Sequence, residues 1–308
     1  MEEIYCFAGN PLDRASERRR DQAWIATLLD DPAALILPLR ELRPATRGSG
    51  SPVLDWQKVA PWRELIDGGA TLIFLGLAEH RPYFAIDAST AEFGFTEAGE
   101  PPDVRSLAPL LPAPEAAILA EARSLIDWHA RHRFCAQCGA PTRVESAGWV
   151  RRCPECRASH YPRSDPVTIM LAVKGEHALL GRGRRRPGNR FSCLAGYMEP
   201  GETIEEAVRR EVHEESGIRI GRVGYLACQP WPFPSTLMMG FLCEALSEEI
   251  TVDPEELAEA RWFSRAELRA MVARAAMGPD DPTQLSIPGP VAIAHQICRR
   301  WSHGLDSL

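Results

Sequence analysis

The sequence lacks any apolar run approaching the ~20 residues that a helix needs to cross a bilayer. Its first ten residues, MEEIYCFAGN, carry acids and no apolar segment of the secretory-signal type. Its last three, DSL, are not the peroxisomal tripeptide. An excess of basic charge is also lacking, since 35 lysines and arginines face 42 acidic residues and the net charge is −7. These absences predict a cytoplasmic protein without a membrane partner. They argue against a general nucleic-acid scaffold but do not exclude one local basic groove.

The chain has 308 residues, which is more than one small core usually absorbs, so several domains are expected. No internal repeat or low-complexity tract is present. We predict an α/β (α+β) protein with an N-terminal mixed α/β domain and linker helix over 1–130, a small ribbon with four cysteines over 131–162, and a C-terminal domain over 163–308.

Hydrophobic periodicity predicts the elements of these domains. The N-terminal region should form a hairpin turned near Arg81 and Pro82, a short helix over 57–68, and a helix that ends near 131. The basic residues Arg14 and Arg18–Arg20 could contact an anion, but we expect solvated surface. The expected strands are 72–77, 83–86, 167–173, 177–180, 223–228, 237–243 and 260–263, and the C-terminal helices are 203–216 and 291–301.

Nine cysteines divide into one cluster and five isolated residues. The cluster is two C-x2-C pairs, Cys135 with Cys138 and Cys153 with Cys156. Two such pairs can complete a tetrahedral thiolate cage, which suits Zn²⁺. Four protein ligands leave no open position for a substrate, so we predict one structural zinc per chain, with a redox dithiol as the alternative. The isolated cysteines are expected to be buried; they are Cys6, Cys193, Cys228, Cys243 and Cys298.

The helix over 203–216 changes from apolar to acidic along one face. Thr203 and Glu206 form a capping-box pattern, and Gly217 suits the position after the last turn. At ~100° per residue, the inward sector lies within about 80° of Ile204. This sector contains Ala207, Val208, Val212, Glu211, Glu214 and Glu215. The opposite side, suited to water, contains Glu205, Glu206, Arg209, Arg210 and His213.

Inward carboxylates repel one another and lose hydration, so they stay ionised only if cations compensate. No lysine lies nearby in the sequence. Hard divalent cations, Mg²⁺ or Mn²⁺, are the natural partners of such oxygens. A solvated acidic helix end is the alternative.

The segment GYMEPGETIEEAVRREVHEESGI, residues 196–218, resembles the Nudix box, G-x5-E-x7-R-E-U-x-E-E-x-G-U with U aliphatic. All nine fixed positions match; they are Gly196, Glu202, Arg210, Glu211, Val212, Glu214, Glu215, Gly217 and Ile218. The resemblance implies a C-terminal α/β/α sandwich with a mixed sheet, and hydrolysis of a nucleoside diphosphate linked to another group.

The same resemblance implies a set of ligands for the catalytic Mg²⁺ or Mn²⁺ ions. Glu211, Glu214 and Glu215 would bind the metals, and the backbone carbonyl of Ala195 can add a ligand. A further glutamate comes from a downstream loop, for which we select Glu256 over Glu259. Glu215 or Glu214 is expected to accept the proton of the attacking water. We expect Arg210 to contact Glu206 and Glu214 and to orient a ligand carboxylate.

Residues 228–236, CQPWPFPST, interleave three prolines with two aromatic side chains. Because proline fixes φ, the loop should be stiff and its rings held in place for stacking on a planar base. The alternative is a rigid, partly buried loop without a binding role. The substrate-binding candidates are Gln229, Pro230, Trp231, Pro232, Phe233, Pro234, Ser235 and Thr236.

This loop resembles S-Q-P-W-P-F-P-x-S, the hallmark of the NADH pyrophosphatase branch of the Nudix family. Cys228 and Thr236 replace its first and last serine. HYPRSDPV at 160–167, IPGPVAIAHQI at 287–297 and NPLDR near the N-terminus also resemble that branch. These resemblances imply substrate contacts from Tyr161 and Ala294 and a homodimer.

The expected reaction is metal-dependent hydrolysis of NADH or NAD⁺ to nicotinamide mononucleotide and AMP. One alternative is removal of the NAD cap from RNA 5′ ends by the same chemistry, with Arg182 and Arg184–Arg186 on the RNA phosphates. An alternative of another class is a zinc-ribbon nucleic-acid-binding module with an inactive Nudix domain. The intact acidic set favours an enzyme.

Overall fold

The computed structural model describes residues 5–48, 51–91, 102–184, 188–278 and 283–305. Two compact units divide the chain: the first comprises Met1–Ser164 with Pro230–Ser235, and the second comprises Asp165–Gln229 with Thr236–Leu308. Among the described residues, no helix is long and apolar enough to cross a membrane. The predicted domain boundaries near 130 and 162 stay a prediction.

The first unit begins with a mixed sheet in the order β2-β1-β7-β6, with β5 also paired to β1. β1 and β7 run parallel, and β6 and β7 are antiparallel. Trp62, Phe74 and Phe84 lie in its core. Its strands are β1 (Leu35–Arg40), β2 (Arg43–Pro44), β5 (Gln57–Lys58), β6 (Leu72–Ala78) and β7 (Arg81–Asp87). Strands β3 (Thr46–Arg47) and β4 (Val53–Leu54) pair with each other in a separate two-stranded sheet.

Two expectations for this unit need correction. The hairpin turns at Glu79 and His80, both with positive φ, so Arg81 and Pro82 lie inside β7. The segment 57–68 contains strand β5 and a 3-10 turn before a single short helix. The helices of the unit are α1 (Gln22–Asp30), α2 (Arg63–Asp67), α3 (Val104–Leu107) and α4 (Ala113–Arg131), and α4 ends at the predicted residue.

A three-stranded antiparallel ribbon follows α4, in the order β10-β9-β8. Its strands are β8 (Arg143–Glu145), β9 (Val150–Arg152) and β10 (Ser159–His160). Trp149 Nε1 donates to the Phe74 carbonyl at 2.8 Å, and His129 of α4 hydrogen-bonds the Gly148 carbonyl at 2.8 Å. These bonds fix the ribbon against the N-terminal sheet and α4.

The second unit is a mixed sheet in the order β14-β15-β11-β12-β16, with β13 paired to β11. β11 and β15 run parallel, whereas β11 and β12 form the predicted hairpin. The strands are β11 (Asp165–Lys174), β12 (His177–Gly183), β13 (Leu194–Tyr197), β14 (Ile220–Trp231), β15 (Thr236–Ala245) and β16 (Leu257–Ser264). The helices are α5 (Ile204–Ser216), α6 (Arg265–Ala275) and α7 (Ile293–Ser302), of which α6 was not predicted.

Helices cover both faces of this sheet. Successive residues of a strand point to opposite faces. On β15, Phe241 shares a core with Val208 and Val212 of α5. The neighbouring Gly240 lies against α7, since a Cβ there would be 3.0 Å from Ile293 Cδ1. The α/β/α expectation is therefore confirmed.

Candidate active site

Helix α5 begins and ends as its sequence predicts. The Thr203 side chain accepts from the Glu206 N–H, and the Thr203 N–H donates to the Glu206 carboxylate, which completes the capping box. Gly217 terminates the helix with φ 70°, a left-handed conformation that glycine adopts without strain. Both ends are thus fixed locally, so the acidic stripe has a defined direction.

Two of the three box glutamates at the end of α5 face inward. Glu211 and Glu215 are buried, with relative exposures of 8% and 5%. The Glu214 side chain is 56% exposed, so the expectation that it faces inward is wrong. At about 80° from Ile204, Glu214 lies at the limit of the apolar sector, where a long side chain turns to solvent.

The box glycine gives Glu211 its place. β13 pairs antiparallel with β11, with Ala195 opposite Ile169, and this brings Gly196 under α5. A Cβ on Gly196 would lie 1.8 Å from the carboxyl carbon of Glu211. Only glycine at this position lets the carboxylate rest against the strand.

Arg210 holds the acidic side chains together. Its guanidinium forms a bidentate pair with Glu202, at 2.6 and 3.0 Å. It also donates to Glu211 at 2.7 Å, to Glu214 at 3.0 Å and to the Tyr197 carbonyl at 3.0 Å. These contacts lower the pKa of Glu202 to about 2, through the Arg210 hydrogen bonds first.

Two expectations for Arg210 meet different outcomes. Its predicted contact with Glu214 is confirmed. Glu206 instead completes the helix cap, so the predicted Arg210–Glu206 contact is wrong. Nor is Arg210 a solvent-facing residue, because only 23% of its side chain is exposed.

Glu215 is the most strongly perturbed acid of the group. Burial raises its pKa to about 8, and the nearby charges of Glu256 and Glu211 add to the rise. The Ala195 backbone N–H donates to its carboxylate and opposes the shift in part. Burial likewise raises the pKa of Glu211, although Arg210 opposes it. Such a cluster favours a cation over an open helix end.

The geometry also distinguishes Glu256 from Glu259, the two candidates for the downstream metal ligand. Glu256 is close enough to raise the pKa of both Glu215 and Glu211. Glu259 pairs instead with Arg182 at 3.3 Å. Glu256 is therefore the better-placed fourth carboxylate.

Metal binding to this cluster should strengthen as the pH rises. Without metal, Glu215 keeps its proton up to about pH 8, whereas the unfolded chain releases it near pH 4.5. The folded state thus binds more protons in this window, and its stability falls as pH rises through it. A divalent cation must displace that proton, so its stabilising effect grows over the same window.

Thermal unfolding with and without saturating Mg²⁺, at about pH 6 and about pH 9, measures this difference. We expect a larger Mg²⁺-induced rise of the midpoint at the higher pH. Glu215→Gln should flatten the dependence, and Glu205→Gln on the exposed face should retain it. An equal Mg²⁺ effect at both pH values in the wild type would contradict the assignment.

The four ribbon cysteines form one cluster. Their Sγ atoms all lie within 4.8 Å of one another, and Cys135–Cys156 and Cys138–Cys153 are each 3.5 Å apart. Tetrahedral zinc with Zn–S bonds of ~2.3 Å needs sulfurs about 3.8 Å apart, so the donor set fits. A single four-thiol cluster favours the metal over two separate dithiols.

The isolated cysteines only partly follow expectation. Cys193, Cys243 and Cys298 are buried. Cys6 is half-buried, and Cys228 is exposed on β14, so the prediction for Cys228 is wrong. The alternation of a strand explains this, because the adjacent Ala227 and Gln229 point inward.

Residues Pro230–Ser235 of the proline-rich loop belong to the first unit and pack there. Trp231 and Phe233 meet edge to face at 5.3 Å, and both rings contact Phe7. The Arg105 guanidinium lies 4.1 Å from the Phe233 centroid, and Arg123 donates to the Pro232 carbonyl. These contacts hold the two rings in place, and both rings are half-buried, so part of each stays accessible.

The remaining substrate-binding candidates fall into two environments. Gln229 and Ala294 are buried. The Gln229 amide donates to the Val291 carbonyl and accepts from the Ile293 N–H, which fixes the start of α7. Thr236 is also buried, Pro230, Pro234 and Ser235 are half-buried, and Tyr161 is 63% exposed in the first unit.

Three family models match successive parts of the chain. A "NADH pyrophosphatase-like rudimentary NUDIX domain" matches 33–128, an "NADH pyrophosphatase zinc ribbon domain" matches 130–161, and a "NUDIX domain" matches 162–284. The human NAD-capped RNA hydrolase NUDT12 is 37% identical over 96% of this chain and 72% of its own length. The chain belongs to the NADH pyrophosphatase branch of the Nudix hydrolases.

Two further relatives are similar to this Nudix hydrolase in sequence. The NAD-capped RNA hydrolase NudC of Mycobacterium bovis is 37% identical over 75% of each chain. The chloroplastic Nudix hydrolase 19 of Arabidopsis thaliana is 33% identical over 96% of this chain and 86% of its own. The protein is therefore a hydrolase of the NADH pyrophosphatase type.

Sequence reasoning missed two features of this hydrolase. Glu202 was matched only as a box position, whereas it is the main partner of Arg210. Tyr197, which follows the box glycine, is 59% exposed and places its carbonyl on Arg210. An aromatic residue beside the acidic stripe was the available signal. Among the predicted RNA contacts, Arg185 and Arg186 lie outside the described residues.

Proposed function

We propose that this Nudix hydrolase cleaves the pyrophosphate of NADH or NAD⁺ to nicotinamide mononucleotide and AMP. The observation that carries the proposal is the cluster of Glu211 and Glu215, both buried beside Glu256, in a chain of the NADH pyrophosphatase branch. Clustered carboxylates of this kind suit Mg²⁺ or Mn²⁺ and, through them, phosphate oxygens.

Glu211, Glu214, Glu215, Glu256 and the Ala195 carbonyl would hold the divalent cations. Bound there, the ions would neutralise charge on the phosphate oxygens and would lower the pKa of a bound water. Arg210 is a positioning residue, since it orients Glu211 and Glu214 through hydrogen bonds. We infer that Glu215 accepts the proton of the attacking water. Glu215 is buried within the acidic cluster, whereas the Glu214 side chain is 56% exposed and accepts a hydrogen bond from Arg210.

Removal of the NAD cap from RNA is the second candidate. It is supported by the names of the human and mycobacterial relatives, which are NAD-capped RNA hydrolases. The arginines that we selected as RNA contacts from the sequence give weaker support to this candidate, because two of them are already paired with glutamates. Arg182 pairs with Glu259, and Arg184 pairs with Glu255 at 3.0 Å. A zinc-ribbon binding module with an inactive Nudix domain is disfavoured by the intact acidic cluster. The homodimer and the cytoplasmic compartment stay proposals.

Turnover of NADH with Mn²⁺, followed by chromatography of the products, tests the reaction. We expect reduced nicotinamide mononucleotide and AMP in equal amounts, and no reaction when the divalent metal is chelated. Failure to cleave NADH, NAD⁺ and NAD-capped RNA under these conditions would overturn the proposal.

The aromatic loop should determine the preference for dinucleotides. Trp231→Ala or Phe233→Ala should lower kcat/KM for NADH by roughly 5- to 150-fold, because stacking contributes about 1–3 kcal/mol per base. A small diphosphate ester without nicotinamide should lose less, since the acidic cluster is unchanged. The ratio of the two kcat/KM values is the measurement.

Trp56→Ala provides a matched control, because Trp56 packs on Tyr83 at 5.0 Å elsewhere in the first unit. It should leave the substrate ratio unchanged. Equal losses on both substrates in the loop variants would mean that the rings only support the fold, as their contacts with Phe7 would allow.

A further inference from the structure

A cleft of about 320 Å³ opens in the first unit between the ribbon sheet and the start of α1. None of the predicted catalytic residues lines this cleft, although Tyr161, a predicted substrate contact, does. Arg20 and Gln22 line one side. Arg152, Ser159 and Tyr161 line the other. Two guanidinium groups, one amide, the Glu145 carboxylate and three hydroxyls, those of Ser146, Ser159 and Tyr161, therefore line one cleft.

The ribbon register places a second arginine beside Arg152. Arg143 of β8 is directly opposite Arg152 of β9, and Ser159 of β10 is opposite Arg152 on the other side. Directly opposed residues share a face, and like charges in such a pair destabilise a sheet. Arg152 donates to Ser159 Oγ at 2.9 Å, which satisfies one of its donors.

No carboxylate within the described ranges lies at ion-pair distance from Arg20, Arg143 or Arg152. Glu145 also lines the cleft but forms no such pair with them. By contrast, Arg14 lies 3.6 Å from Glu121, and Arg19 is buried over the Trp149 ring. The expectation that the whole Arg18–Arg20 run is solvated surface is thus wrong for Arg19. Arg20, Arg143 and Arg152 keep donors for an external anion.

The ribbon differs in charge from the rest of the protein. Residues 131–162 contain six arginines, two glutamates, and no lysine or aspartate, in a chain with a net charge of −7. Tyr161, which lines the cleft, is 63% exposed. Basic side chains that follow a groove, with exposed rings nearby, are the combination that binds single-stranded nucleic acid.

We propose that this cleft, with Arg143 beside it, binds the phosphodiester chain of a single-stranded RNA that carries the NAD cap. This inference rests on the proposed function, in its RNA form. Arg20, Arg143 and Arg152 pair with backbone phosphates, and Gln22 and Ser159 donate or accept hydrogen bonds at the sugars. The contacts are to backbone, so binding is independent of sequence.

The test compares capped RNA with NADH in the full-length protein carrying R20E and R152E together. We expect kcat/KM for a short NAD-capped single-stranded RNA to fall at least about tenfold, uniformly across RNA sequences. The slope of log kcat/KM against log salt should decrease by about 0.7 for each RNA phosphate that the variant no longer binds. kcat/KM for NADH should stay within about twofold, because NADH lacks the RNA chain. An uncapped 5′-monophosphate oligonucleotide should inhibit capped-RNA turnover in the wild type and not in the variant.

R81E is the matched control, since Arg81 is exposed on β7 and does not line the cleft. It should behave as wild type on both substrates. Unchanged capped-RNA turnover in R20E/R152E would overturn the inference, as would equal losses on both substrates. So would conversion of a wild-type dimer to a monomer by sedimentation, because the cleft would then be a subunit contact. A wild type that cleaves NADH but no capped RNA overturns this inference alone, whereas one that cleaves neither overturns the proposed function.

Discussion

Glu215→Gln should lower kcat by about 10²- to 10⁴-fold, the contribution typical of a positioned general base, while the protein remains folded. At neutral pH and without metal, the Glu215 carboxyl is protonated, since its pKa is raised to about 8. Glutamine matches that neutral group in size and can still accept the hydrogen bond from the Ala195 N–H. The substitution therefore removes a negative ligand without leaving a cavity or an unpaired donor.

The measurement is kcat for NADH at saturating Mn²⁺, together with the thermal midpoint in chelator. The control is Glu205→Gln on the exposed side of the same helix, which should change neither quantity. Near wild-type turnover of Glu215→Gln at saturating metal would remove Glu215 from the mechanism. A large fall of its midpoint in chelator would instead indicate a structural role.

The helix that carries these acids was predictable because its pattern is local. The capping box, the Gly217 end and the apolar stripe all lie within fifteen residues, and periodicity fixes which side chains face inward. The same helical periodicity wrongly placed Glu214 on the inward side, because an angular position about 80° from Ile204 does not determine where a long side chain points. Helical periodicity also gives no information about Glu202, because this residue precedes the helix and reaches Arg210 from the loop.

Contacts between residues far apart in the sequence could not be predicted from local patterns. Nothing in CQPWPFPST indicates that its rings contact Phe7, more than 200 residues earlier, or Arg105. The buried role of Gln229 at the start of α7 likewise depends on tertiary structure. The spacing of the four cysteines did carry enough information, because two tight turns and one tetrahedral ion leave few arrangements.

Loss of the ribbon zinc should be the largest effect on stability. The protein purified in metal-free buffer should hold about one zinc per chain by elemental analysis. Structural zinc sites bind with about 10–16 kcal/mol. If each thiolate carries about a quarter of that, Cys135→Ser costs about 2.5–4 kcal/mol and lowers the unfolding midpoint by roughly 5–16 °C.

The effect should reach beyond the ribbon but leave the chemical step largely intact. Arg151 of β9 hydrogen-bonds His129 at 3.0 Å, and Gly148 lies against Ile73, where a Cβ would approach within 2.9 Å of the backbone. A loosened ribbon therefore disturbs α4 and β6 together. Because four thiolates close the site, kcat for NADH, measured below both midpoints, should change by less than about threefold. Cys228→Ser is the control, since that thiol is exposed and the family hallmark has serine there. Absence of zinc, or an equal loss of stability in Cys228→Ser, would refute the assignment of the cluster as a structural zinc site.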